Sequence, residues 1–317
     1  MADVNLIEQL DEAVEAIIAK AGALPSVTAE LAALTGVAAE LRDLPRAEFK
    51  ARLKTDLERR ATMSTTAPKT IRQTVTPYLT AQRVDELIDF TKQAFGAEEL
   101  YRAMGSGGVH AEVRIGDSSV MIGGAPALQH APNTVGLHLY VPDADAVYKH
   151  ALQAGAESSH EPIDQPYGDR EAGVKDLVGN EWYIATNQAT GHKPEGLRSV
   201  TPFLHPRGAG QFIDFLKAAF GAEEESRYES PDGVIRHATI RIGNSAVEMG
   251  EAHEQWQPMT AMFYLCVDDA DACYARAIEA GAASISEPAD QHYGDRVGAV
   301  KDSFGNQWYI AMPIRNA

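Results

Sequence analysis

Three histidines and one glutamate are the residues of this chain whose chemistry draws attention first. His138, His205, His237 and Glu248 each stand on the polar side of a strand-like segment in which apolar residues occupy the alternate positions. Neutral imidazoles with one carboxylate form a donor set suited to Zn, Fe or Ni, should they meet in space. The same residues would otherwise serve as hydrogen-bonding groups lining a ligand cavity. Glu248, Tyr183 and Tyr309 are the candidates for moving a proton. The chain has no nucleophile motif, phosphate loop or dinucleotide fingerprint. Its one "GSGG" (105–108) lies between strands and does not open a helix.

The elements that must position these groups are written twice. "DQPYGDREAGVKDLVGNEWYIAT" (164–186) returns as "DQHYGDRVGAVKDSFGNQWYIAM" (290–312). "IDFTKQAFGAEE" (88–99) returns as "IDFLKAAFGAEE" (213–224), and "DADAVYKHALQAGA" (143–156) as "DADACYARAIEAGA" (269–282). The near-constant offset marks whole-domain copies, over 74–187 and 199–315, joined by the Gly/Pro/Lys linker 188–198. Within each copy the periodicity predicts a strand, a helix and three strands, and then the same series again. The first helix places Val84, Leu87, Ile88, Thr91 and Phe95 on one face, and Gly96 suits a left-handed cap. "DxxGN" (176–180 and 302–306) reads as a turn with glycine at positive φ, and Trp182 and Trp308 read as core aromatics.

Residues 1–62 show three short amphipathic stripes and are expected to be helical, followed by a polar linker over 63–73. Such narrow stripes bury little alone, so self-association or a partner is expected there. The net charge of -17 disfavours nucleic acid, whose binding rests on Lys and Arg. No apolar run reaches membrane-span length, and the acidic N-terminus is unlike a secretory signal. Cys266 and Cys273 read as buried thiols of a cytoplasmic protein.

The "IDFxKxAFGAEE" segment after a first strand, the "DxxGNxWYIA" ending and the paired strand–helix–three-strand units together resemble the vicinal oxygen chelate superfamily. That group includes glyoxalase I, bleomycin-resistance proteins and extradiol dioxygenases, and "YGDR" resembles its glyoxalase-like branch. The resemblance covers nearly everything beyond the N-terminal segment. It implies an α+β fold of two tandem glyoxalase-like domains, with paired βαβββ units curling into cups, helices outside and ligand within. It also implies that the first half of one domain can share a site with the second half of the other.

Strand alternation then assigns the cup faces. Thr76, Tyr78, Thr80, His110, Glu112, Met121, His138, Tyr140 and Tyr183 point inward in the first copy. Thr201, Phe203, His205, His237, Glu248, Tyr264, Cys266 and Tyr309 do so in the second. Tyr167, Arg170, Tyr293 and Arg296 of the "YGDR" segments would stand at a cup rim, where Tyr and Arg suit an anionic or carbonyl ligand, unless each Arg simply pairs with a neighbouring carboxylate. The superfamily's metal-ligand positions fall on Thr76 and Thr201, Tyr183 and Tyr309, Met121 and Glu248, and near Gly136 and Met262, so the usual set is broken. Two mixed pockets follow. One joins Thr76, Tyr78 and Met121 to Tyr264 and Tyr309. The other joins His205, His237 and Glu248 to His138 and Tyr183, with at most one divalent transition metal. The leading expectation is a small-molecule-binding protein. The alternatives are a metal-dependent lyase, isomerase or dioxygenase around Glu248 and His138, and a ligand-sensing interaction protein using the N-terminal helices.

Overall fold

The computed structural model describes residues 72–105, 108–124, 133–253 and 256–314. The expected N-terminal helices (1–62) and most of the 63–73 linker lie outside the described residues.

Four βαβββ units follow one another. The first holds β1 (Val75–Thr80), α1 (Val84–Phe95), β2 (Glu98–Gly105), β3 (Gly108–Ile115) and β4 (Ser118–Gly124). The second holds β5 (Gly136–Tyr140), α2 (Ala144–Gln153), β6 (Glu157–Asp164), β7 (Asp169–Lys175) and β8 (Glu181–Asn187). The third holds β9 (Val200–Leu204), α3 (Ala209–Phe220), β10 (Glu223–Glu229), β11 (Ile235–Ile242) and β12 (Ser245–Met249). The fourth holds β13 (Met262–Cys266), α4 (Ala270–Glu279), β14 (Ala283–Asp290), β15 (Asp295–Lys301) and β16 (Gln307–Pro313).

The helices start and stop where their ends are satisfied. Asp143 accepts from Ala146 N at 2.9 Å and Asp269 from Ala272 N at 2.9 Å, each capping the first turn of its helix. Gly96 and Gly221 close α1 and α3 at φ 66°, a left-handed conformation that a Cβ would penalise. No helix among the described residues is long and apolar enough to cross a membrane.

Each sheet takes one unit from each sequence copy. The first runs β14-β15-β16-β13-β1-β4-β3-β2 and the second β10-β11-β12-β9-β5-β8-β7-β6. The seams are the antiparallel pairs β1·β13, with Thr76 opposite Tyr264, and β5·β9, with His138 opposite Thr201. Both pockets are therefore mixed between the copies. A reciprocal clasp also links the first and third units. Asp117 of the β3–β4 turn and Ser118 at the start of β4 accept from Ser199 N (2.7 Å) and Val200 N (2.8 Å). Asn244 of the β11–β12 turn and Ser245 at the start of β12 accept from Thr74 N (2.9 Å) and Val75 N (3.0 Å).

The face toward the helices is the core. Trp182, Trp308, Phe212, Phe263, Leu137 and Ile184 are fully buried there. The repeated "DxxGN" turn holds this core in place. Asp176 accepts from Val178 N (3.0 Å), Asn180 N (3.0 Å), Asn180 Nδ2 (2.8 Å) and Trp182 Nε1 (3.0 Å). Asp302 makes the same bonds to Phe304, Asn306 and Trp308. Gly179 and Gly305 supply the positive φ. Asn180 contributes side-chain bonds, since its Oδ1 also accepts from Val135 N at 3.1 Å. Replacing Asp176 by Ala would strand a buried indole N–H and two turn amides. A cost of about 2–4 kcal/mol is expected, read as a lowered urea midpoint, with Asp302→Ala giving a loss of similar size.

Candidate functional site

The cup of the second and third units is organised around one imidazole. His138 stands on β5 near the centre of its sheet, two strands from β7 on one side and two from β12 on the other. On a flat sheet Glu171 of β7 and Glu248 of β12 would stand roughly 19 Å apart, four strand spacings of about 4.8 Å. Here the side chains lean inward and His138 joins them. Its Nδ1 lies 3.0 Å from Glu248 Oε2 and its Nε2 3.1 Å from Glu171 Oε2. All three residues are buried.

Burial alone would strip the His138 proton. The Glu248 charge and the bonds to both carboxylates outweigh it and push the pKa up to about 10. Burial likewise opposes the Glu248 charge, but His138 and His237 overcome it and hold the carboxyl near 2. Glu171 is also burdened by burial, yet its partners hold it below the usual carboxylate range. His138 is thus an imidazolium that donates both N–H groups. The expectation of neutral imidazoles is corrected at this residue.

Further polar groups extend the network. His237 Nε2 lies 3.2 Å from Glu248 Oε1. Glu171 accepts from Tyr167 Oη (3.0 Å) and Gln165 Nε2 (3.3 Å). Tyr140 donates to Asp169 Oδ2 at 3.2 Å, and Asn187 Nδ2 to Asp169 Oδ1 at 2.7 Å. Tyr183 Oη is 3.4 Å from His205 Nε2. Burial lowers the His205 pKa to about 4, so that ring is neutral, and burial raises the Tyr183 phenol. An aromatic wall completes the cup. His205 stacks on Trp256 with centroids 5.3 Å apart, and Tyr183 meets Phe203 and Trp256 edge-on at 5.5 Å.

The cup of the first and fourth units has the same plan with different groups. Met121 occupies the position of Glu248, Tyr264 that of His138 and Val297 that of Glu171. Met121, Tyr264, Val297 and Ala311 pack together, with Tyr78, Cys266 and Tyr309 against them. Tyr78 Oη lies 3.0 Å from His110 Nδ1. A Cβ at Gly123 would run into the Tyr78 hydroxyl. Tyr264 donates to Asp295 Oδ2 at 2.6 Å, which also accepts from Arg72 Nη2 at 3.0 Å. Glu112 is half-buried on the same face. Burial raises the Tyr309 phenol, so neither Tyr183 nor Tyr309 is disposed to act as a phenolate base.

Two rim assignments are corrected. Arg170 pairs with Asp145 of α2 (2.7 and 2.8 Å) and with Asp164 (3.4 Å). Arg296 pairs likewise with Asp271 of α4 (2.6 and 2.8 Å) and with Asp290 (2.8 Å). Both alternate with the cup-facing Asp169 and Asp295, so they point toward the helices. The tyrosines of the same motif do stand at the rim, Tyr167 63% and Tyr293 55% exposed. Tyr167 reaches Glu171; Tyr293 has Val297 in place of that acceptor.

The residues present do not fit a metal of the kind the resemblance implies. Both ring nitrogens of His138 are engaged by carboxylates, Glu248 is engaged by two imidazoles, and His205 has Nε2 on the Tyr183 hydroxyl and a buried Nδ1 with no hydrogen-bond partner. Among the described residues no group of three or more His, Cys, Asp or Glu is arranged to hold a metal ion. Of the set His138, Tyr183, His205, His237 and Glu248, the structure joins His138, His237 and Glu248 in one hydrogen-bonded chain and places Tyr183 on His205.

Glu171, Asp169, Asp295, Arg72 and Trp256 were not singled out in the sequence. Glu171 left a signal, because it interrupts an otherwise matching repeat where the second copy has Val297. Asp169 shares its face by strand alternation. Trp256, in a loop, had no signal of either kind.

Comparison with known proteins agrees with this architecture. The profile of the family described as "Glyoxalase/Bleomycin resistance protein/Dioxygenase superfamily" matches residues 70–184 and 207–310. An uncharacterised Mycobacterium bovis protein is 35% identical over 128 residues, spanning 37% of this chain and 84% of its own. A Mycobacterium tuberculosis protein, also uncharacterised, is 35% identical over 128 residues, with 75% of its length covered. Glyoxalase I from Zea mays superposes with a TM-score of 0.59 at 12% identity, covering 76% of this chain and 92% of the maize chain. A candidate dioxygenase from Bacillus subtilis superposes with a TM-score of 0.54 at 12% identity, covering 76% and 85%. At such identities the structural likeness speaks for the fold alone.

The His138 link makes a prediction about pH. Its pKa is raised from 6.5 to about 10 on folding, so its stabilisation is complete below pH 6.5 and lost as pH rises through about 10. The urea midpoint should fall over that interval. His138→Gln should lower stability by about 3–5 kcal/mol at neutral pH, because two buried carboxylates lose their cation, and should flatten the decline. A slope identical to that of the unaltered protein would contradict the assignment.

Proposed function

The chain belongs to the Glyoxalase/Bleomycin resistance protein/Dioxygenase superfamily, and we propose that within it the protein acts by binding a small organic molecule in its cups. One observation carries this reading. Both ring nitrogens of His138 are bound by carboxylates, at 3.0 and 3.1 Å, so the strongest candidate ligand set is already used internally. What the cups offer a guest is an aromatic wall, over a charged floor in the second–third cup and a largely apolar one in the first–fourth cup, a composition suited to holding a flat organic compound.

The groups of the second–third cup then act as follows. Phe203, Tyr183 and Trp256 supply ring faces and edges. The His237–Glu248–His138–Glu171 chain fixes the floor in one hydrogen-bonding pattern, so a guest meets a preorganised surface. Tyr167 stands where a guest would enter. The first–fourth cup offers a more apolar floor of Met121, Val297 and Ala311, edged by Tyr78, Tyr264 and Tyr309.

Metal content by plasma mass spectrometry, on full-length protein prepared without chelator or metal affinity, tests the reading together with a thermal-shift screen of aromatic compounds. Background metal is expected in the protein and in Glu248→Ala, with at least one compound raising the melting temperature in a concentration-dependent way. About one transition metal per chain, lost in Glu248→Ala, would instead favour a metal-assisted lyase, isomerase or dioxygenase.

A further inference from the structure

We propose that a cavity outside both cups takes a small monocarboxylate whose apolar part is a single ring or a short chain. The inference goes beyond the binding proposed for the cups and does not rest on it.

The cavity lies in the second copy, where the β9–α3 loop, the loop before β13 and the β15–β16 turn converge. Its volume is about 230 Å³. An apolar cavity of roughly 150 Å³ is enough to lodge benzene, whereas drug-sized compounds need about 300 Å³ or more. The space therefore suits one ring. Leu204, Pro206, Met259 and Phe304 supply apolar wall, and Arg207 and Ser303 a polar edge. Phe304 is braced edge-on against Phe212, with ring centroids 4.9 Å apart, so the wall is held in place.

Charge decides the class of guest. Arg207 is the one charged residue of the lining. Elsewhere this chain gives its arginines carboxylates, as Asp145 to Arg170, Glu225 to Arg241 and Asp271 to Arg296. Arg207 has none within 4.0 Å among the described residues, and its guanidinium makes one long bond, from Nη2 to Gln257 Oε1 at 3.5 Å. The nearby Glu251 is already engaged at the start of α3, accepting from Gly208 N and Ala209 N at 2.7 Å each. A guanidinium with free N–H groups beside an apolar wall suits a carboxylate, which it can hold through two parallel bonds. The net charge of -17 repels anions at long range, so a carboxylate guest requires such a local cation. The first copy is the internal control. Where the repeat places Pro206, Arg207, Ser303 and Phe304 it has Ala81, Gln82, Leu177 and Val178, with neither the cation nor the ring.

The test is isothermal titration of the full-length chain, at low salt, with benzoate and its neutral isostere benzamide. Benzoate should bind about tenfold tighter than benzamide, the gain expected of one charge-assisted pair. Arg207→Gln places the first copy's residue at an exposed position. It should remove the preference and leave benzamide's affinity unchanged. Met259→Trp, which fills the cavity, should abolish benzoate binding; if that variant fails to fold, Arg207→Gln alone decides. Benzamide bound as tightly as benzoate would overturn the carboxylate preference. Benzoate affinity unchanged in Arg207→Gln would overturn the site, and so would the absence of benzoate binding at millimolar concentration. None of these outcomes bears on the cups, whose residues both variants leave intact.

Discussion

The structure depends on a pairing of units, first strand to first strand, that runs between the two sequence copies and not within either. A βαβββ unit exposes an unpaired edge at its first strand, and that edge must find a partner. In this chain β5 pairs with β9 and β1 with β13, so every cup draws its two halves from different copies. The reciprocal clasp of the β3–β4 and β11–β12 turns on the starts of β9 and β1 fixes this arrangement from the outside. Since residues that meet in a cup come from different copies, the copies could diverge without each having to remain a self-contained site.

Divergence is concentrated on the cup faces. On the helix side the copies remain close: Trp182 and Trp308 hang from the same aspartate-centred turn and pack in the same way. On the cup side Glu248 stands against Met121, Glu171 against Val297 and His138 against Tyr264. These replacements convert one cup into a charged, hydrogen-bonded layer and the other into a largely apolar one. The convex face answers to packing volume, which changes little without cost. The concave face answers to whatever it holds.

The charged layer is itself a constraint. A buried imidazolium between two buried carboxylates costs desolvation, and the mutual attraction offsets it only because each partner is further satisfied. Glu248 has His237, and Glu171 has Tyr167 and Gln165. Such an arrangement is rigid in geometry and sensitive to the loss of any member.

The sequence by itself determined the units, their order and their faces. The repeat offset, the alternation along 109–116 and 135–141, the glycine-closed helices and the "DxxGN" turns are local features, and each reflects the short-range physics of backbone and burial. It also singled out His138, His237 and Glu248 as neighbours, through the mixing of copies that the family resemblance implied. Tertiary structure alone decided what their meeting amounts to. Whether His138 offers lone pairs or protons depends on Glu171, which is 33 residues away and lies on a strand not adjacent to β5. The direction of Arg170 depended likewise on Asp145 of α2, across the sheet from the cup. A protonation state and a salt-bridge partner are properties of the distances between charges and of their burial. Neither quantity exists until the chain has folded.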